Sequence, residues 1–241
     1  MREEDEWPCR ARSERVFVRG ASGGDKDVGV ENTGTIEANI AELKSHGGNI
    51  YGLAVKNEGR IAATGVTQEG GQIFLRAGNR TPTSSSGGGR IQSTGVLRAQ
   101  PVSGGTGRVV VDAGETGTAE IGGTVEALGG SESGGEVIIL GETINVFDGA
   151  LILADGGAGG GRIFVGGGKR GEDPSFMNAT DVTIGNEAVL SASATESGDG
   201  GEVVVFASRD LDFQGHAAAT GGTQSGDGGF VELSGKETVT L

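Results

Sequence analysis

Gly20-Ala21-Ser22-Gly23-Gly24 has the G-x-S-x-G spacing that exposes a nucleophilic serine on the strand-to-helix turn of hydrolases. That chemistry needs the helix, and Asp25-Lys26-Asp27-Val28-Gly29 is a poor start for one. Gly166-Gly167-Gly168-Lys169-Arg170-Gly171 satisfies G-x-G-x-x-G and follows the apolar run Ile163-Phe164-Val165. A dinucleotide site would set a pyrophosphate on the N-terminus of a following helix, and Glu172-Asp173-Pro174-Ser175 supplies none. Lys169 is followed by Arg170 and not by serine or threonine, so the phosphate-loop pattern fails too. The stretch reads as an insertion loop with a small basic spot.

Metal chemistry is equally thin. His46 and His216 are isolated, Cys9 is alone, and no second His or Cys lies at ligand spacing. Ser197-Gly198-Asp199-Gly200-Gly201 and Ser225-Gly226-Asp227-Gly228-Gly229 resemble calcium-binding turns, but those recur every nine residues. Here the copies are 28 apart, so Asp199 and Asp227 are expected to stack as acidic corners and to offer calcium too few oxygen ligands. Asn79-Arg80-Thr81 and Asn178-Ala179-Thr180 fit the glycosylation pattern, which chance explains in loops of this composition. No catalytic residue, metal site or cofactor is expected. The enzymatic alternative is a carbohydrate-active β-helix, and no paired-aspartate cluster of the kind it needs is visible.

Composition points to architecture. Of 241 residues 50 are glycine and only 4 proline, without the period of collagen. A formal charge of −14 argues against nucleic acid or an anionic membrane as the main partner. No apolar run reaches the roughly 18 residues of a membrane helix. Met1-Arg2-Glu3-Glu4-Asp5-Glu6 is charged and does not read as a signal peptide.

Two segments alternate along the chain. One is a glycine pair before an apolar run, as in Gly134-Gly135-Glu136-Val137-Ile138-Ile139 and Gly200-Gly201-Glu202-Val203-Val204-Val205. The other ends in alanine, at 38, 63, 99, 127, 154, 192 and 219. Those alanines are spaced by 25, 36, 28, 27, 38 and 27 residues, a base period near 26 with two insertions. A third run lies between them, as in Thr143-Ile144-Asn145-Val146. Short β-branched runs bounded by glycine read as strands, and no helical period competes. Three strands per period, repeated, describe an all-β, single-stranded parallel β-helix of about eight coils, in which each coil buries the next. Hairpin signals do not recur at a spacing that would favour a β-sandwich. The predicted organisation is a charged segment over 1–13, then the β-helix over 14–241 with loop insertions near 79–89 and 166–179. Glycine is expected at corners that need positive φ.

The residues also carry a family resemblance. Val30-Glu31-Asn32-Thr33-Gly34-Thr35-Ile36-Glu37-Ala38 and Gly48 to Ile61 resemble the filamentous haemagglutinin-type exoproteins of bacterial two-partner secretion, as does Gly226-Asp227-Gly228-Gly229-Phe230-Val231-Glu232-Leu233-Ser234-Gly235-Lys236. The resemblance runs from about Val16 to Leu241. It implies a right-handed parallel β-helix, an outer-membrane transporter as partner, and a place outside the cell or on its surface. It also implies adhesion or aggregation through a host or bacterial surface protein or glycan. Binding of a receptor or haem carrier is the alternative role within the family. The family's secretion motifs built around Asn-Pro are not found, so the chain reads as an internal or truncated segment.

The alternation of the glycine-pair strands makes one further prediction. If the residues at i and i+2 point inward, the one between points out. Those outward residues are Tyr51, Phe74, Val110, Ile138, Phe164 and Val204, an apolar stripe broken by Glu232. The stripe is either a contact surface or the seat of an insertion loop.

Overall fold

The computed structural model describes residues 10–20, 28–45, 53–65, 70–77, 88–101 and 105–241. Tyr51, His46, Ser22 and Asn79 lie outside them.

β1 (Arg10–Gly20) comes first and begins within the charged segment. Turn one holds β2 (Val28–Asn32) and β3 (Thr35–Ser45), and turn two β4 (Leu53–Asn57), β5 (Arg60–Gly65) and β6 (Gln72–Ala77). Turn three is β7 (Arg90–Ser93), β8 (Val96–Pro101) and β9 (Arg108–Asp112). Turn four is β10 (Thr118–Ile121), β11 (Thr124–Ala127) and β12 (Glu136–Leu140). Turn five is β13 (Thr143–Val146), β14 (Leu151–Leu153) and β15 (Arg162–Val165). Turn six is β16 (Asp181–Ile184), β17 (Val189–Ser191) and β18 (Glu202–Ala207). Turn seven is β19 (Asp210–Phe213), β20 (His216–Ala218) and β21 (Phe230–Gly235), and β22 (Thr238–Thr240) opens the next.

Every strand pairs in parallel with its counterpart one turn away, in three stacks. The first stack is the eight-stranded sheet from β2 to β22. The second and third join into one 14-stranded sheet because β3 is continuous: its first half pairs with β5 and its second half with β6. Turn one therefore makes in a single strand what later turns make in two. Seven turns carry the column, and β1 and β22 add part of a turn at each end, against the eight coils expected.

The spacings read from the sequence are the pitch of this column. Ala38, Ala63, Ala99 and Ala127 stand in register. Hydrogen bonds between turns link residues 25 apart (Asn32 to Asn57), 36 apart (Asn57 to Ser93) and 38 apart (Ser193 to Asp155). The core is one narrow column of β-branched residues and alanine, with Ile61, Leu97, Ile144, Ile163 and Val203 fully enclosed. One polar ladder enters it: Asn32 Nδ2 donates to Asn57 Oδ1 at 2.7 Å, and Asn57 Nδ2 to Ser93 Oγ at 3.2 Å. From turn four on, the same rung is apolar, with Ile121, Val146 and Ile184.

The paired glycines have a different reason from the one expected. Neither Gly135 nor Gly161 has positive φ. A Cβ on Gly135 would lie 2.1 Å from the Gly107 carbonyl oxygen, and one on Gly161 would lie 2.2 Å from that of Gly135. Successive turns pack backbone on backbone there, with no room for a side chain.

Candidate functional site

The outward row of the third stack is a single register line. Phe74, Val110, Ile138, Phe164, Val204 and Glu232 lie side by side on β6, β9, β12, β15, β18 and β21. The rung before Phe74 is Glu42, and the one before that Phe17. The row points away from the core, as the alternation requires. Its middle is nevertheless buried, with Val110 8% exposed, Ile138 4%, Phe164 7% and Val204 0%, while Phe74 and Glu232 at its ends are half-buried. With Leu140 and Phe206 these residues form a second apolar cluster outside the column.

The cover over its far end comes from the insertion after β15. Phe176 stacks on Phe164, and Met177 packs on the same cluster. The backbone at Gly171, at φ 66°, runs so close to Phe206 that a Cβ there would lie 2.2 Å from the ring. The single turn Lys169–Gly171 fastens the loop to the turns beyond it. Lys169 Nζ lies 3.0 Å from Glu202 Oε1 and 4.8 Å above the Phe230 ring. The Arg170 N–H donates to Glu232 Oε1 at 2.8 Å. Asn178 Nδ2 donates to the Gly171 carbonyl, and the Ala179 N–H returns to the Gly166 carbonyl. The G-x-G-x-x-G stretch is thus a cover tied at both ends. No helix follows it, and Lys169 is already engaged by Glu202.

Beside this row runs a shallow groove floored by Gly134, Gly135, Gly160 and Gly161 and edged by Arg108, Glu136, Arg162 and Glu202. Arg108 Nε holds Glu136 Oε2 at 2.8 Å, and Glu202 belongs to Lys169. On these four rungs carboxylates alternate with cations, and the remaining carboxylate of the groove, Asp199, accepts a hydrogen bond from the Asp227 N–H. At the acidic corners, the Asp227 N–H donates to Asp199 Oδ1 at 2.8 Å, so the two turns stack one coil apart. Among the described residues no group of three or more His, Cys, Asp or Glu is placed to hold a metal ion.

A pattern not read from the sequence is the charge matching between turns three and four. Arg90 meets Glu120 at 2.7 Å on the first stack, Arg98 meets Glu126 on the second, and Arg108 meets Glu136 on the third. Its signal was available for two of the three pairs, since Arg98 and Glu126, and Arg108 and Glu136, occupy the same place in successive repeats, whereas Arg90 reaches two residues along its neighbour to Glu120. Similar matching raises the pKa of Lys56 above its ordinary value, through Glu58 and then Glu31. Asp181 and then Asp210 raise that of Arg209.

A parallel solenoid of strands, with a core of small aliphatics and corners of packed glycine, defines a class of repeat protein rather than an active site. No family model matches the chain, and no curated relative does. Among solved structures it is similar to the HMW1 secretion domain from Haemophilus influenzae, at a TM-score of 0.71 and 26% identity over 94% of this chain. This chain spans 61% of the length of that structure. The resemblance to filamentous haemagglutinin-type exoproteins of two-partner secretion is thereby borne out.

Proposed function

We propose that this chain is a shaft segment of a secreted exoprotein, exported through an outer-membrane two-partner-secretion transporter and displayed outside the cell. There it mediates adhesion or aggregation without catalysis. The observation that carries this reading is the likeness to a secretion domain along nearly the whole chain. The fold suits export. Each strand's partner lies one turn away in sequence, so turns can form one after another as the chain emerges.

The test is to place the chain behind an export signal in a bacterium, with and without a transporter of this class. Transporter-dependent protease accessibility from outside, followed by binding of the purified protein to host cells or clumping of coated particles, supports the reading. Equal export without the transporter overturns the secretion role. Export without any adhesion or clumping overturns the adhesive one.

A further inference from the structure

Outward charges of adjacent turns are matched along most of the column. Glu31 meets Lys56, Glu42 meets Arg76, and the three arginines of turn three meet Glu120, Glu126 and Glu136 of turn four. The stacked acid pair Asp181 and Asp210 is bridged by Arg209. At the N-terminal edge cations stack on one another instead. Arg19, Lys44 and Arg76 stand in register on β1, β3 and β6. Only Arg76 has a carboxylate, Glu42 at 3.1 Å. Among the described residues none pairs with Arg15, Arg19 or Lys44. Like charges on neighbouring rungs repel, so an anion beside these rungs would be favoured.

Among the described residues the same edge also has no strand beyond β1. β1 is paired to β3 along ten residue positions, and no described strand pairs with its other side. Its outward residues Arg15, Phe17 and Arg19 alternate cation, aromatic, cation, with Phe17 53% exposed. Val16 and Val18 face the core and are only partly covered. We propose that the edge of β1 left unpaired by the described strands receives an extended acidic polypeptide segment as an added strand. Its outward positions read carboxylate, apolar, carboxylate opposite Arg15, Phe17 and Arg19, and apolar residues between them extend the core over Val16 and Val18. The unpaired backbone edge selects a polypeptide over other polyanions, because only a strand satisfies its row of donors and acceptors.

The probe is a nine-residue peptide with glutamate at positions 3 and 7 and valine or threonine elsewhere, titrated against the full chain by calorimetry. Saturable binding weakened by salt is expected. So is a loss of about tenfold or more in Arg15→Glu/Arg19→Glu, two exposed pairs being reversed. The thermal unfolding of that variant should be unchanged. A peptide of the same charge with proline at positions 4 and 6 should not bind, because proline removes the donors a strand needs. Absence of binding by the first peptide overturns the proposal, as does equal binding by the proline peptide or by the double variant. Saturable binding of dextran sulfate with none of the peptide also overturns it, leaving a polyanion patch in place of a strand edge.

Discussion

Phe176 lies over Phe164 with ring centroids 4.9 Å apart and planes inclined by 29°, so a loop residue completes a row that the strands leave facing outward. The apolar stripe is therefore the floor of a second, smaller core. The insertion at 166–179 exists in part to roof it.

Replacing Phe176 with alanine should strip that roof. Loss of one half-buried aromatic contact is expected to cost about 1–2 kcal/mol in urea unfolding. It should also expose Phe164 and Ile138, raising the binding of an apolar fluorescent dye and the tendency to self-associate. Unchanged stability and dye binding would show that the loop does not cover the row.

The glycine corners give a sharper prediction. Gly135→Ala and Gly161→Ala each drive a methyl group into a carbonyl of the neighbouring turn. Each is expected to destabilise by about 1–3 kcal/mol, the range for overpacking. Gly130→Ala tests a different cost, since nothing lies within 4 Å of its Cβ and its φ is 62°. Melting temperatures of the three variants separate backbone contact from backbone strain.

The buried amide ladder should behave non-additively. Asn57→Ala strands the Asn32 amide and the Ser93 hydroxyl inside the core, at a cost of about 1–3 kcal/mol. Replacing all three rungs, Asn32→Val, Asn57→Ile and Ser93→Val, should recover most of that loss, because later turns hold Ile121, Val146 and Ile184 at the same rung. A triple variant less stable than Asn57→Ala would mean that the ladder has a role beyond pairing its own polar atoms.

Between turns three and four the three ion pairs form a ring around the column. Changing Arg90, Arg98 and Arg108 to glutamate should lower stability by about 1–3 kcal/mol, less at high salt. Adding Glu120→Arg, Glu126→Arg and Glu136→Arg should restore it, since the ring is then matched again with its polarity reversed. If the six-fold variant stays as unstable as the three-fold one, the pairing does not set that junction.

The column itself was legible in the residues. The alanines at 38, 63, 99 and 127 predicted the register that β3, β5, β8 and β11 adopt, because a turn that must stack on its neighbour repeats its inward residues at the same place. The fusion of two strands into β3 was barely legible. Its one mark is that Thr35 to Ser45 has no glycine where later turns have a glycine-rich corner, and the pairing of its halves with β5 and β6 shows what that means. The outward direction of Ile138 and Phe164 followed from period two, but their burial depends on where a loop folds back, which periodicity does not encode. The Asn32, Asn57 and Ser93 ladder could have been found by aligning the ends of the first-stack strands, where a polar residue follows an aliphatic one at the same offset.

The cover at 166–179 also has a mechanical consequence. Tension along the column draws adjacent turns apart through hydrogen bonds that lie parallel to the pull, and a bare stack would open one junction at a time. Lys169 and Arg170 leave the fifth turn and grip Glu202 on the sixth and Glu232 on the seventh. That strap places three turns under one fastening. A stretched molecule would part first at junctions outside it, and this end of the column would travel as a single block.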